Sequence, residues 1–179
     1  MAILFGTPAT TGLRFRSRHV HRTIAAFMEE RLGLLGWTGD PVNFGTAPII
    51  FKEVVPDENG APIAANTVSI SLGDIDEDAL GQLGGGLWET ILPVFFDVYG
   101  ASASVAQSIA EDIKEQVTRG VVLPVYNWNE VAVPVLVAGE YIEFENVIGP
   151  ERPAGSAVSQ DFRRFWRIVK AEAHVYYQG

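Results

Sequence analysis

The sequence predicts an α+β fold, an antiparallel or mixed β-sheet packed against two main helices, with extended loops or arms. Three observations lead there. Two stretches repeat apolar residues at three- and four-residue steps, the period of a helix with one buried stripe. Several others alternate apolar and polar side chains, or crowd β-branched residues together, as strands do. No segment recurs at a fixed period, which sets solenoids and propellers aside. With 179 residues the chain suits a single domain, elaborated by an N-terminal arm (1–19) and by inserted loops (74–88 and 121–139).

Taken in order, Val20, Ile24, Phe27, Met28, Leu32 and Leu35 mark the first helix, which Gly33 and Gly36 end. Ile49 to Val55 and Val68 to Leu72 read as two strands, and Asn59-Gly60 between them predicts a hairpin with a long tip. Asp74 to Gly86 is acidic and then glycine-rich, with too little apolar periodicity to bury a face, and reads as a loop. Ile91 to Tyr99 is a strand apolar on one face and partly apolar on the other. Ser104 followed by Gln107 predicts a capping box, and Val105, Ala106, Ile109, Ala110, Ile113 and Val117 carry a second helix to Arg119-Gly120. Val121 to Gly139 holds two prolines, Tyr126 and Trp128, and is more hydrophobic than a simple connection needs, which predicts an interface arm. Two closing strands follow, around Ile142 to Ile148 and Val169 to Tyr177.

Composition excludes several classes. Hydrophobic residues make up 47% and charged residues 20%, a balance that suits a folded globular domain rather than a disordered chain. No stretch is apolar enough to predict a membrane-spanning helix. The opening MAILFGTPATTG lacks the basic start and the apolar length of a secretory leader, so synthesis in the cytoplasm is expected. Without cysteine there is no disulfide framework, thiolate nucleophile or thiolate metal site. A net charge of -9 opposes general nucleic-acid binding. Its distribution is uneven: Arg14, Arg16, Arg18 and Arg22 precede the first acid at Glu29, whereas eleven acids and no base lie between Lys52 and Lys114. That is the pattern of a solvated basic arm beside a solvated acidic middle, or of complementary contacts between subunits or partners.

No catalytic, metal or cofactor motif emerges. His19-x-His21 would place two rings on one side of a strand, but arginines 16, 18 and 22 repel a cation there. Asp74, Asp76 and Asp78 imitate the start of a calcium loop, yet Ala79 and Gly85 stand where it needs glycine and glutamate. Gly84 to Gly86 lacks the lysine and hydroxyl residue of a phosphate-binding loop. Glu111 and Asp112 are adjacent on a helix and face apart. An enzyme is therefore not expected, and no cofactor.

The stretch ETILPVFFDVYGASASVAQSIAEDIKEQVTRG resembles the centre of the bacteriophage tail terminator and tail completion proteins of long non-contractile tails. Asp97, Tyr99, Ser104, Ala106 and Ala110 stand at the matching places, and the ending FRRFWRIVKAEAHVYYQG is similar to the last strand of that family. The resemblance implies a virion structural protein at the junction of tail and neck. It implies a homo-hexameric ring that caps the tail tube, ends its polymerisation and performs head-tail joining, with the tail-tube protein and a connector or neck protein as partners. DNA would pass through the lumen without sequence-specific binding, and no membrane is involved. Another neck component, a head-tail connector or stopper, shares these traits. A more distant alternative is a small-ligand-binding or hydrolytic domain with Trp88 and Trp128 stacking on a ligand. The candidate assembly interface comprises Arg14, Arg16, Arg18 and Arg22 of the basic stretch, Asp74, Asp76 and Asp78 of the acidic loop, and Tyr126 and Trp128 of the apolar arm.

Overall fold

The computed structural model describes residues 10–37, 50–51, 66–73, 81–84, 87–128, 134–153 and 165–178. Among them are two helices, α1 (Thr10–Leu34) and α2 (Ala103–Thr118). Seven strands accompany them: β1 (Ile50–Phe51), β2 (Thr67–Leu72), β3 (Gly81–Gly84), β4 (Leu87–Tyr99), β5 (Leu123–Asn127), β6 (Val135–Glu151) and β7 (Trp166–Gln178). They form one sheet in the order β1-β2-β4-β7-β6-β5, with β3 joined to β4. Only β1 with β2 is parallel, so the sheet is mixed and the fold is α+β.

The centre is the antiparallel pair β4 and β7, in register from Leu87↔Gln178 to Tyr99↔Trp166. Side chains alternate across a strand, so Leu92, Val94, Phe96 and Val98 share one face with Val169, Ala171, Ala173 and Val175, and all eight are buried. Both helices lie on this inner face, α2 against β4, β6 and β7, and α1 against β5 and β2. Ala171 and Ala173 are small enough to let α2 come close, and Ile109, Ala110, Ile113 and Val117 of α2 are fully buried there. No described helix is long and apolar enough to cross a membrane.

Helix α1 begins ten residues before Val20, so residues 10–19, expected as an arm, continue the helix. The apolar period in the sequence starts only at Val20, whereas before it Leu13, Arg14, Arg16 and Arg18 favour a helix by backbone propensity. His19 and His21 consequently sit on a helix rather than a strand. Gly36, at a φ of 85°, closes α1 with a Schellman motif: Gly36 N–H donates to Gly33 O and Trp37 N–H to Leu32 O. Leu35, counted in the stripe, lies past the last turn and is exposed.

The expected hairpin of Ile49–Val55 with Val68–Leu72 is not formed, because Ile50 and Phe51 run parallel to Thr67 and Val68. A parallel pair cannot be closed by a tight turn, and Asn59-Gly60 lies outside the described residues. Helix α2 is capped by Ser102 rather than Ser104: the Ser102 hydroxyl accepts from Val105 N–H. Gln107 is thereby released from a capping box and bonds Glu111 and Arg167. Within the expected loop 74–88, residues 81–84 and 87–88 pair as β3 and β4, while Asp74 to Leu80 lie outside the described residues. Within 121–139, β5 and the start of β6 form a hairpin. Val135 and Leu136 pair only with β5, beyond the first β6–β7 pair at Tyr141↔Tyr176.

Candidate assembly interface

Helix α1 locks the edge of the sheet at β5. Outward-facing amides of an edge strand recur at every second residue. On β5, Pro124 has no N–H to offer; Tyr126 N–H donates to Thr23 Oγ1 at 3.2 Å, and Trp128 N–H, just beyond the strand, to His19 Nδ1 at 3.1 Å. The Trp128 indole also donates to Thr23 Oγ1 at 3.2 Å, and Arg22 reaches the Trp128 carbonyl at 3.3 Å. On its other side α1 holds β2, where His21 Nε2–H donates to Ile70 O at 2.7 Å. One helix thus bridges two strands from opposite regions of the sheet, which curls around it.

Of the residues expected at an interface, the structure brings together Arg22, Tyr126 and Trp128. Tyr126 and Trp128 meet edge to face, 6.5 Å apart, and line a groove of about 500 Å³ between α1 and β5, with Phe27, Arg31 and Pro124. Trp128 is half-buried against its own α1. Arg18 is exposed on α1. Arg14 and Arg16 stand in the first turns of the same helix. Asp74, Asp76 and Asp78 lie outside the described residues. Trp88 belongs to β4 and does not line the groove that Trp128 lines. Around the hairpin, Val122, Val135 and Leu136 are apolar and more than half exposed.

His19 is buried, and burial together with the nearby Arg18 and Arg22 charges holds its pKa below the usual histidine value. The hydrogen bond requires the same protonation state, since Nδ1 must keep its lone pair to accept from Trp128. A base whose folded pKa is lowered contributes stability that is complete above the unfolded value, near 6.5, and is lost as pH falls towards the folded one. Acidification below about pH 6.5 should therefore loosen α1 from β5. Hydrogen exchange at the Trp128 amide checks this, once intrinsic rates are corrected for. Protection unchanged from pH 7 to pH 5 would contradict it, and His19→Gln should flatten the dependence.

The opposite, outer face of the sheet carries a second cluster that sequence reasoning passed over. Glu89 on β4 accepts from His174 Nδ1–H at 2.6 Å and from the Tyr176 hydroxyl, whose pKa is pushed up to about 12 by burial and by that hydrogen bond. Tyr176 stacks on Tyr141 with centroids 4.7 Å apart. Glu145 and Glu172 approach His174 Nε2 at 3.6 and 3.9 Å, and Glu143 pairs with His174 across β6 and β7. The alternation of Lys170, Glu172, His174 and Tyr176 marks this face in the sequence. Their carboxylate neighbours come from two other strands, which no local pattern reveals. Further along the face, Trp166 donates to Asp97 at 2.9 Å and stacks on Tyr99, and burial raises the Asp97 pKa despite that bond. Among the described residues no group of three or more His, Asp or Glu side chains is placed to hold a metal ion.

No protein-family model matches this chain, and no curated protein matches it either.

Proposed function

We propose that this chain is a virion structural protein, a tail terminator that assembles as a ring on the last tube subunits, stops their polymerisation and joins the tail to the neck. The observation that carries the reading is the β4–α2 unit. Here the stretch resembling that family forms a central strand ending at Asp97 and Tyr99, a Ser/Ala turn, and a helix buried along Ala106, Ile109, Ala110 and Ile113. Support also comes from the β5–β6 hairpin, whose exposed Val135 and Leu136 project past the end of β7 and offer apolar surface to a neighbour. In this reading the partners are other copies of the chain, the tube protein and a connector, and catalysis plays no part.

Electron microscopy of the assembled particle with this chain labelled tests the proposal. A single ring between tube and neck, and overlong tubes when the gene is deleted, are expected. Stacked rings along the tube would make it a tube protein. A ring on the head side with normal tube length would make it a connector, and either outcome rejects termination.

A further inference from the structure

Among the described residues the helices lie on one face of the sheet, and the outer face is acidic. Side chains of Glu145, Glu151 and Glu172 are 57, 48 and 42% exposed there, with Lys170 and His174 as the bases among them. The same face holds apolar surface on either side of these charges, the Tyr141–Tyr176 stack at one end of the β6–β7 ladder and Ile148, which is 52% exposed, towards the other. Exposed aromatic and aliphatic side chains beside charged ones are what a protein interface uses. On the far side of the molecule, α1 buries Val20, Ile24 and Met28 inward and exposes Arg18 and Arg22, one helical turn apart, beside the apolar rim of Val122, Val135 and Leu136. The two surfaces differ in sign where Arg18 and Arg22 stand, the acids of α1, Glu29 and Glu30, lying two turns further along the helix; both carry apolar area, and they lie on opposite sides of one chain.

We infer that the acidic outer face of one copy is the docking surface for the α1–β5 edge of a second copy, so that the chain associates head to tail. This rests on the ring reading above and names the surfaces that ring would use. Charge complementarity selects the occupant. Arg18 and Arg22 face the carboxylates of Glu145 and Glu172, while a copy docking its own acidic face onto another acidic face would be repelled. Two unlike surfaces on opposite sides also exclude a two-fold pair, in which the same patch must meet itself, and give a heterologous contact that repeats from subunit to subunit.

The experiment measures mass against concentration by sedimentation, for wild type, for Arg18→Ala with Arg22→Ala, and for Glu145→Gln with Glu172→Gln. Arg18, Arg22 and Glu145 are exposed and Glu172 partly so; because Arg22 also reaches the Trp128 carbonyl, circular dichroism verifies that each variant is folded. Wild type should gain mass with concentration and lose it with added salt. Each double variant should raise the dissociation constant about tenfold or more. An equimolar mixture of the two variants should form dimers and nothing larger, because one intact face of each remains. Variants that associate like wild type, a mixture that stays monomeric, or a wild-type chain monomeric up to about 1 mM would each overturn the proposal. Variants with unchanged self-association but lost binding to tube protein would also overturn it, and would give these faces to that partner. Microscopy separates the two readings. A ring at the neck built equally well by both variants rejects these surfaces and leaves the ring, whereas absence of a wild-type ring rejects the terminator.

Discussion

Phe96→Ala should lower the stability of the folded chain by about 3 to 5 kcal/mol, the usual cost of emptying a buried aromatic site. Phe96 is fully buried, the largest such side chain among the described residues, and sits on the central strand opposite Val169 with Ile70 on its other flank. Its neighbours are held by two strand ladders, so they cannot collapse into the space. Denaturant unfolding should show a lower midpoint with an unchanged slope. A loss below about 1 kcal/mol would mean that the β4 inner face is not the core.

A substantial loss is also expected from a much smaller change, Gly100→Ala. Gly100 links β4 to the cap of α2, and a Cβ placed on it would stand 2.4 Å from the backbone nitrogen of Ala106 and 2.8 Å from its Cα. Those atoms belong to the first turn of the helix and cannot rotate aside as a flexible side chain would. The helix must lift from the strand, at an overpacking cost of at least about 1 to 3 kcal/mol. Since Ala106 anchors the buried stripe of α2, exchange protection should fall in the first turns of that helix more than in β7. An alanine variant as stable as the parent would show that strand and helix are less tightly joined than these distances require.

The two helices, β4 and β7 were legible because each buries one face, and burial writes its period into the sequence. Val20 to Leu32 and Val105 to Val117 follow their helical stripes, and Leu92 to Val98 follows its strand. What escaped is what burial does not write. The first ten residues of α1 carry no apolar stripe, so only propensity speaks for them. The parallel pairing of Ile50 with Thr67 depends on where the chain returns, and β-branched content is blind to strand direction. Strand β6 runs for 17 residues, with register shifts against β7 between Glu145 and Ile148 and again between Ile148 and Glu151. Those bulges change which side chains share a face, so simple alternation cannot be read through them. At the candidate interface, aromatic content pointed to Tyr126 and Trp128. That Trp128 is clasped by Thr23, His19 and Arg22 of its own chain is a contact between residues far apart in sequence.

That clasp also sets an order of events during synthesis. Helix α1 is made before the strand it closes, which follows about a hundred residues later: 103 positions separate Thr23 from Tyr126, and 109 separate His19 from Trp128. While the ribosome is still translating β4 and α2, the Val20–Ile24–Met28 stripe has no β5 to lie against, and a long loop must close before docking can reward it. Helix α1 is therefore a segment that waits long for its partner, and until β5 is made the growing chain carries that apolar stripe exposed to misassociation.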